Sequence, residues 1–275
     1  MSQNPLQNYF RQPKIYLKLP SLGKYINSDS ISGDVEKLPV YGMTGMDQII
    51  GKTPDGLLNG ESTVKIIQSC CPTIVNAWDV SSIDLESLLV AIKIATFGNK
   101  MTVEGSCSSC NTENSYDIEL GNILEYYNIC IFESSVIIDD LIIKLKPLTY
   151  KSVTAFSLES FSLQKQLLQV QDIEDNNKKQ ELLSKIFEEF ANLQSRVLVS
   201  SIDEIETPET VVSEFGFIKE WVDNCDQIVI NKVKDALDRN GKIWKNPPVQ
   251  VSCSNCGNIN MLEIDLDPSN FFVNA

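Results

Sequence analysis

Hydrophobic and polar positions change their rhythm several times along the chain, and each rhythm predicts an element. Ile15, Leu17 and Leu19 alternate as in a short strand that Pro20 closes. Val64, Ile67 and Cys71 have helical spacing and stop at Pro72. A stronger helix is expected from about Asp84, after Ser81-Ser82, with Leu85, Leu88, Leu89, Ile92 and Ala95 on one face and Gly98 at its end. Glu86 and Lys93 lie off that stripe and read as solvated charges. A helical turn is expected around Asn122 to Tyr127. Val136-Ile137-Ile138 and Leu141-Ile142-Ile143 flank Asp139-Asp140, which predicts a β-hairpin with the two aspartates at its tip.

From Thr149 to Gly241 the pattern turns helical. Leu163, Leu167 and Val170 form one stripe; Leu182, Leu183, Ile186, Phe187, Phe190, Leu193 and Val197 form a longer one. Thr207-Pro208-Glu209 has the chemistry of a helix start, which would place Val211, Val212, Phe215 and Ile218 on a helix face. A last helix carries Ile228, Val229, Val233, Ala236 and Leu237 and is expected to end at Asn240-Gly241. Residues 29–62 are turn-rich, with Pro54-Asp55-Gly56 and Asn59-Gly60 as turn pairs.

One phrase is written twice. Val103 to Cys110 (Val-Glu-Gly-Ser-Cys-Ser-Ser-Cys) aligns without a gap on Val249 to Cys256 (Val-Gln-Val-Ser-Cys-Ser-Asn-Cys). The register continues, placing Asn114 on Asn260, Ile118 on Ile264 and Leu120 on Leu266. Each copy reads strand, Cys-x-x-Cys turn, strand. Two such knuckles supply four thiolates, the donor set of a closed tetrahedral zinc site. Cys107, Cys110, Cys253 and Cys256 are therefore read as one zinc-ribbon-like centre holding one structural Zn2+ per chain. Residues 111–252 between the pairs far exceed the usual ribbon spacing. Competing readings are two redox motifs, two disulfides, or two half-sites completed by a partner chain. Redox Cys-x-x-Cys motifs open helices, whereas these lead into strands. Disulfides need an oxidising compartment, and Met1-Ser2-Gln3-Asn4-Pro5 has no apolar targeting region. Cys70-Cys71 is expected to be core.

The expected fold class is α+β: a mixed body with the four-cysteine site built from two distant hairpins, and an inserted all-α subdomain. Its parts would be a basic N-terminal arm or strand (1–28), a body with the first knuckle (29–149), a helical insert (150–241), and the second knuckle with a C-terminal strand (242–275).

Charge narrows the functions. The net charge is −14, from 37 acidic against 23 basic residues, the reverse of what phosphate neutralisation asks of a nucleic-acid module. There is no histidine, which removes the commonest general base and the usual catalytic triads. No Gly-Lys-Ser/Thr phosphate loop follows the glycine-rich turns. No apolar run approaches membrane-spanning length, so no membrane partner is expected. Residues 1–28 oppose the overall charge: they hold Arg11, Lys14, Lys18 and Lys24 and no acidic residue. These four are candidate partner-binding cations, docking on an acidic surface of another protein or of another copy.

Several stretches carry a resemblance: Phe10-Arg11-Gln12-Pro13, Tyr16 to Ser21 (Tyr-Leu-Lys-Leu-Pro-Ser), Met43-Thr44-Gly45-Met46-Asp47, Pro54 to Gly60, Ser69-Cys70-Cys71-Pro72 and Leu88 to Gly98. Over about residues 1–120 the chain resembles the base plate protein family of T-even-type tailed bacteriophages, which includes hub and hub assembly proteins. The resemblance implies a non-enzymatic protein of contractile-tail base plate assembly, with other base plate or hub proteins as partners. It would act in the host cytoplasm during assembly or remain in the virion. The alternatives are a zinc-ribbon nucleic-acid or transcription-associated factor, and an enzyme using carboxylates or a reactive Cys130 or Cys225.

Overall fold

The structure is a computed structural model that describes residues 5–53, 59–171, 173 and 175–264. The Pro54-Asp55-Gly56 turn and the end of the second repeat, Leu266 included, lie outside the described residues. The chain divides into two compact units, Met1–Cys130 with Trp244–Ala275, and Ile131–Ile243.

In the first unit, β1 (Pro13–Leu17) pairs antiparallel with β2 (Leu38–Tyr41), Leu17 opposite Leu38. The alternation works as the sequence suggests: Leu17 and Leu19 are buried, while Lys14, Tyr16 and Lys18 face solvent. Within the turn-rich segment lies a helix, α1 (Gly45–Gly51), started by a capping box between Thr44 and Asp47. Helix α2 (Glu61–Cys70) stops before Pro72.

Helix α3 (Ser82–Phe97) is the centre of this unit. The sequence pattern expected one apolar stripe, but Leu88, Leu89, Val90, Ala91 and Ile92 are all buried in succession. A helix apolar all round is one surrounded by other elements. Lys93 is accordingly not solvated but buried, while Glu86 is half-buried and accepts a hydrogen bond from the Tyr127 hydroxyl. Burial lowers the Lys93 pKa. At the start of α3, buried Asp84 accepts from the Ser81 hydroxyl (2.6 Å) and from the amide of Ser21 (2.9 Å). Gly42 packs so tightly on the end of α3 that a Cβ there would lie 2.8 Å from the Ala95 carbonyl oxygen. After α3 come β3 (Lys100–Ser106), β4 (Glu113–Glu119) and α4 (Leu120–Ile129). The unit ends with β9 (Val249–Ser252) and β10 (Ile259–Leu262).

The second unit holds a four-stranded antiparallel sheet in the order β5 (Ser135–Ile138), β6 (Leu141–Leu145), β7 (Ile202–Glu206), β8 (Val211–Val212). Helices α5 (Tyr150–Gln171), α6 (Asn176–Ser200), α7 (Phe215–Asn224) and α8 (Gln227–Ile243) complete it. Its core joins Ile143, Leu145, Ile202 and Ile205 of the sheet to Leu198, Ile218, Val233 and Ala236 of the helices. Asp139-Asp140 is the hairpin turn between β5 and β6, with Asp139 at φ 51°.

The expectation of an all-α segment is corrected here. Ile202–Glu206 and Val211–Val212 are strands, and Thr207-Pro208-Glu209 is their turn, not a helix start. The Thr207 amide and hydroxyl both donate to the Thr210 carbonyl (2.8 and 2.9 Å), and the Thr210 amide returns to Thr207 Oγ1 (3.0 Å). A threonine hydroxyl that caps a helix serves a tight turn equally well. The β-branched pair Val211-Val212 then favours the strand.

Because α3 is packed on every side, Leu89→Ala is expected to destabilise the protein by about 2–5 kcal/mol. Phe187→Ala should change stability by no more than about 1 kcal/mol, because Phe187 is largely exposed despite lying in the predicted stripe. Denaturant unfolding of the two variants checks this.

Candidate metal centre

Each Cys-x-x-Cys sits in the turn of a hairpin, and the two turns are built alike. In the first, the Cys107 amide donates to the Thr112 carbonyl and the Asn111 amide to the Cys107 carbonyl, both at 2.9 Å. In the second, Cys253 and Asn258, then Gly257 and Cys253, make the same bonds at 2.9 Å. The residue after the second cysteine is left-handed in both, Asn111 at φ 55° and Gly257 at φ 72°. Asparagine and glycine are the residues that enter that region most easily.

The turns bring four thiols together. The sulfurs of Cys107, Cys110, Cys253 and Cys256 all lie within 4.8 Å of one another. Cys107 to Cys256 and Cys110 to Cys253 are each 3.7 Å apart. A tetrahedron with Zn–S bonds of about 2.3 Å has sulfur–sulfur edges of about 3.8 Å, whereas a disulfide would bring two sulfurs to about 2.05 Å. The spacing fits a shared metal and not two disulfides.

Around the sulfurs are neutral donors. The Ser109 amide lies 3.4 Å from Cys107 Sγ, the Asn260 carboxamide nitrogen 3.6 Å from it, and the Asn114 nitrogen 3.5 Å from Cys253 Sγ. The amides of Ser109 and Cys110 pull the Cys107 thiol down to about 6. Cys110 is also lowered, first by the Thr112 hydroxyl. Cys256 is pushed up to about 12: the Asn258 amide favours its thiolate, but the thiols of Cys110, Cys107 and Cys253, together with burial, outweigh it. Thiols this close ionise together only around a cation. Four sulfur donors fill a tetrahedral zinc shell and leave no position for water, so such a centre is structural.

Residues 12–273 match the T4 bacteriophage base plate protein family. The chain belongs to that family. No curated protein and no solved structure matches. The family match takes in both knuckles and all of the second unit, beyond the stretch over which the sequence motifs carried the resemblance.

The N-terminal cations of this base plate protein fall into two groups. Arg11 is tied into the fold: its guanidinium donates to the Gly42 carbonyl (2.7 Å) and to the Ser69 carbonyl and hydroxyl (2.6 and 2.9 Å), and lies 3.4 Å from Asp47. It also covers the Tyr41 ring at 5.7 Å. Lys14, Lys18 and Lys24 are exposed. Lys18 lies 3.9 Å from Glu36, and Lys24 lies 5.0 Å from the Tyr25 ring centre. Lys37, which the sequence pattern did not single out, lies 5.2 Å from the Tyr16 ring centre.

Burial disfavours the thiolate form of the other cysteines. Cys70 and Cys71 are fully buried, and burial pushes Cys70 up to about 12 and Cys71 higher. Cys130 and Cys225 are raised as well, again by burial first. Among the described residues no helix is long and apolar enough to cross a membrane.

Arg11→Ala is expected to destabilise the protein by about 1–3 kcal/mol, because it strips a donor from two carbonyls and a buried carboxylate. Lys18→Ala should stay within about 0.5 kcal/mol, as for exposed ion pairs. Denaturant midpoints of the two variants separate a structural cation from a surface one.

Proposed function

We propose that this protein is a non-enzymatic component or assembly factor of the phage tail base plate, on its hub side, that works through protein–protein contacts. Membership of the base plate family over residues 12–273 carries this reading. The centre formed by Cys107, Cys110, Cys253 and Cys256 holds one structural zinc per chain. The four-sulfur donor set, the 3.7 Å spacings and the closed shell support that assignment. When bound, the zinc cross-links two hairpins that lie far apart in sequence, which makes folding of the first unit depend on metal.

The partners are other base plate proteins, met in the host cytoplasm during assembly, with the tail as the protein's destination. Lys14, Lys18 and Lys24 are the docking cations. They stand exposed at the N-terminal end of an otherwise acidic chain, so they suit an acidic partner surface. Arg11 belongs to the fold instead. The zinc-ribbon nucleic-acid reading has the net charge of −14 against it.

Protein purified without chelator is expected to carry about one zinc per chain. Cys107→Ser and Cys253→Ser should each lose it, with a fall in Tm of roughly 10 °C or more, since each kcal/mol moves Tm by about 2–4 °C at this size. Metal analysis and a thermal scan check both. Zinc retained at full occupancy in either variant would reject the shared centre. Lys14→Glu, Lys18→Glu and Lys24→Glu combined should leave zinc content unchanged and reduce incorporation into base plate intermediates, as measured by co-sedimentation.

A further inference from the structure

The contacts that Asn114 and Asn260 make across the two knuckles occur in pairs with the halves exchanged, while Asn255 and Asn258 add crossings from the second knuckle alone. Asn260 Oδ1 accepts from the Ser108 amide (3.1 Å) and hydroxyl (2.7 Å); Asn114 Oδ1 accepts from the Ser254 amide (3.0 Å) and hydroxyl (2.7 Å). The Asn260 nitrogen faces Cys107 Sγ, and the Asn114 nitrogen faces Cys253 Sγ. Each nitrogen also holds its own hairpin, Asn114 through the Thr112 carbonyl (2.8 Å) and Asn260 through the Asn258 carbonyl (3.3 Å). Each asparagine is rooted in one hairpin and completed by the other.

Two further facts give these crossings weight. β3–β4 and β9–β10 are separate two-stranded sheets, so among the described residues no backbone ladder joins the knuckles. Asn114 is buried, and without the second knuckle its oxygen would lose both of its donors from Ser254. A single loaded knuckle would therefore hold two sulfurs and an incomplete metal shell, and its carboxamide would have water in place of the fixed serine donors.

We infer that Asn114 and Asn260 are crossed positioning residues that make the two knuckles load metal together, as one all-or-none site. This rests on the zinc reading above. Each carboxamide fixes the opposite serine, and so the start of the opposite Cys-x-x-Cys turn, while its nitrogen supports the opposite thiolate without adding a charged group. Partners of this outer kind are worth about 10- to 100-fold in metal affinity.

The test uses full-length zinc-loaded protein and reads zinc affinity by chelator competition and amide exchange at Ser108 and Ser254 by NMR. Asn114→Ala should accelerate exchange at Ser254 at least about tenfold and leave Ser108 protected; Asn260→Ala should do the reverse. Each should weaken zinc by about 10- to 100-fold. Asn114→Asp, nearly isosteric, keeps the acceptor for Ser254 but replaces the donor to sulfur with a negative charge. It should retain Ser254 protection and still weaken zinc. Opposite-serine exchange unchanged in both alanine variants, or zinc affinity equal to that of a zinc-binding wild type, would overturn the inference and leave the zinc reading standing. A wild type that takes up no zinc would overturn that reading, and the inference with it.

Discussion

Four thiols within 4.8 Å of one another cannot all ionise without a cation between them, and the two segments of the first unit bring them to one point. Its two chain segments, before residue 131 and after residue 243, meet at this point through contacts that involve side chains, and among the described residues they share no sheet. Nearby packing assists. Trp244 stacks on Tyr127 at 6.1 Å, the Asn246 side chain lies against the Tyr127 hydroxyl, and Leu262 fills the space left by the missing side chain of Gly105. These contacts are few beside the burial around α3. A metal cross-link between segments so distant in sequence would offset a loop-closure entropy that a handful of contacts would meet poorly.

The repeat made the centre legible, because a hairpin turn with two cysteines repeats local chemistry that spacing preserves. The alternation in β1 was legible for the same reason. What failed depended on surroundings. Thr207-Pro208-Glu209 carries side-chain chemistry common to helix starts and tight turns, and only pairing with β7 decides between them. The charges of α3 were read as solvated because a single helix cannot show that neighbours cover its other faces. Arg11 looked like one of four equivalent cations, yet its carbonyl partners at Gly42 and Ser69 come from distant stretches. The gapless alignment put Asn114 on Asn260, but nothing local shows that each crosses to the other hairpin.

Acidity and local basicity suit an assembly component. The chain belongs to a family of phage base plate proteins, and charge complementarity serves steering and register between proteins. A neutral set of amides and carboxamides around the sulfurs keeps the centre from depending on the charged surface. The exposed lysines of β1 and its flank and the four clustered cysteines are different residues on different elements, so the proposed docking and the proposed metal binding do not compete.

The most direct measurement is zinc K-edge X-ray absorption on the purified protein. A single shell of four sulfurs at about 2.3 Å is the expected result, since all four ligands are thiolates and no water enters. A shell containing two sulfurs with oxygen or nitrogen donors at about 2.0–2.2 Å would contradict it, because the two knuckles would then bind metal apart.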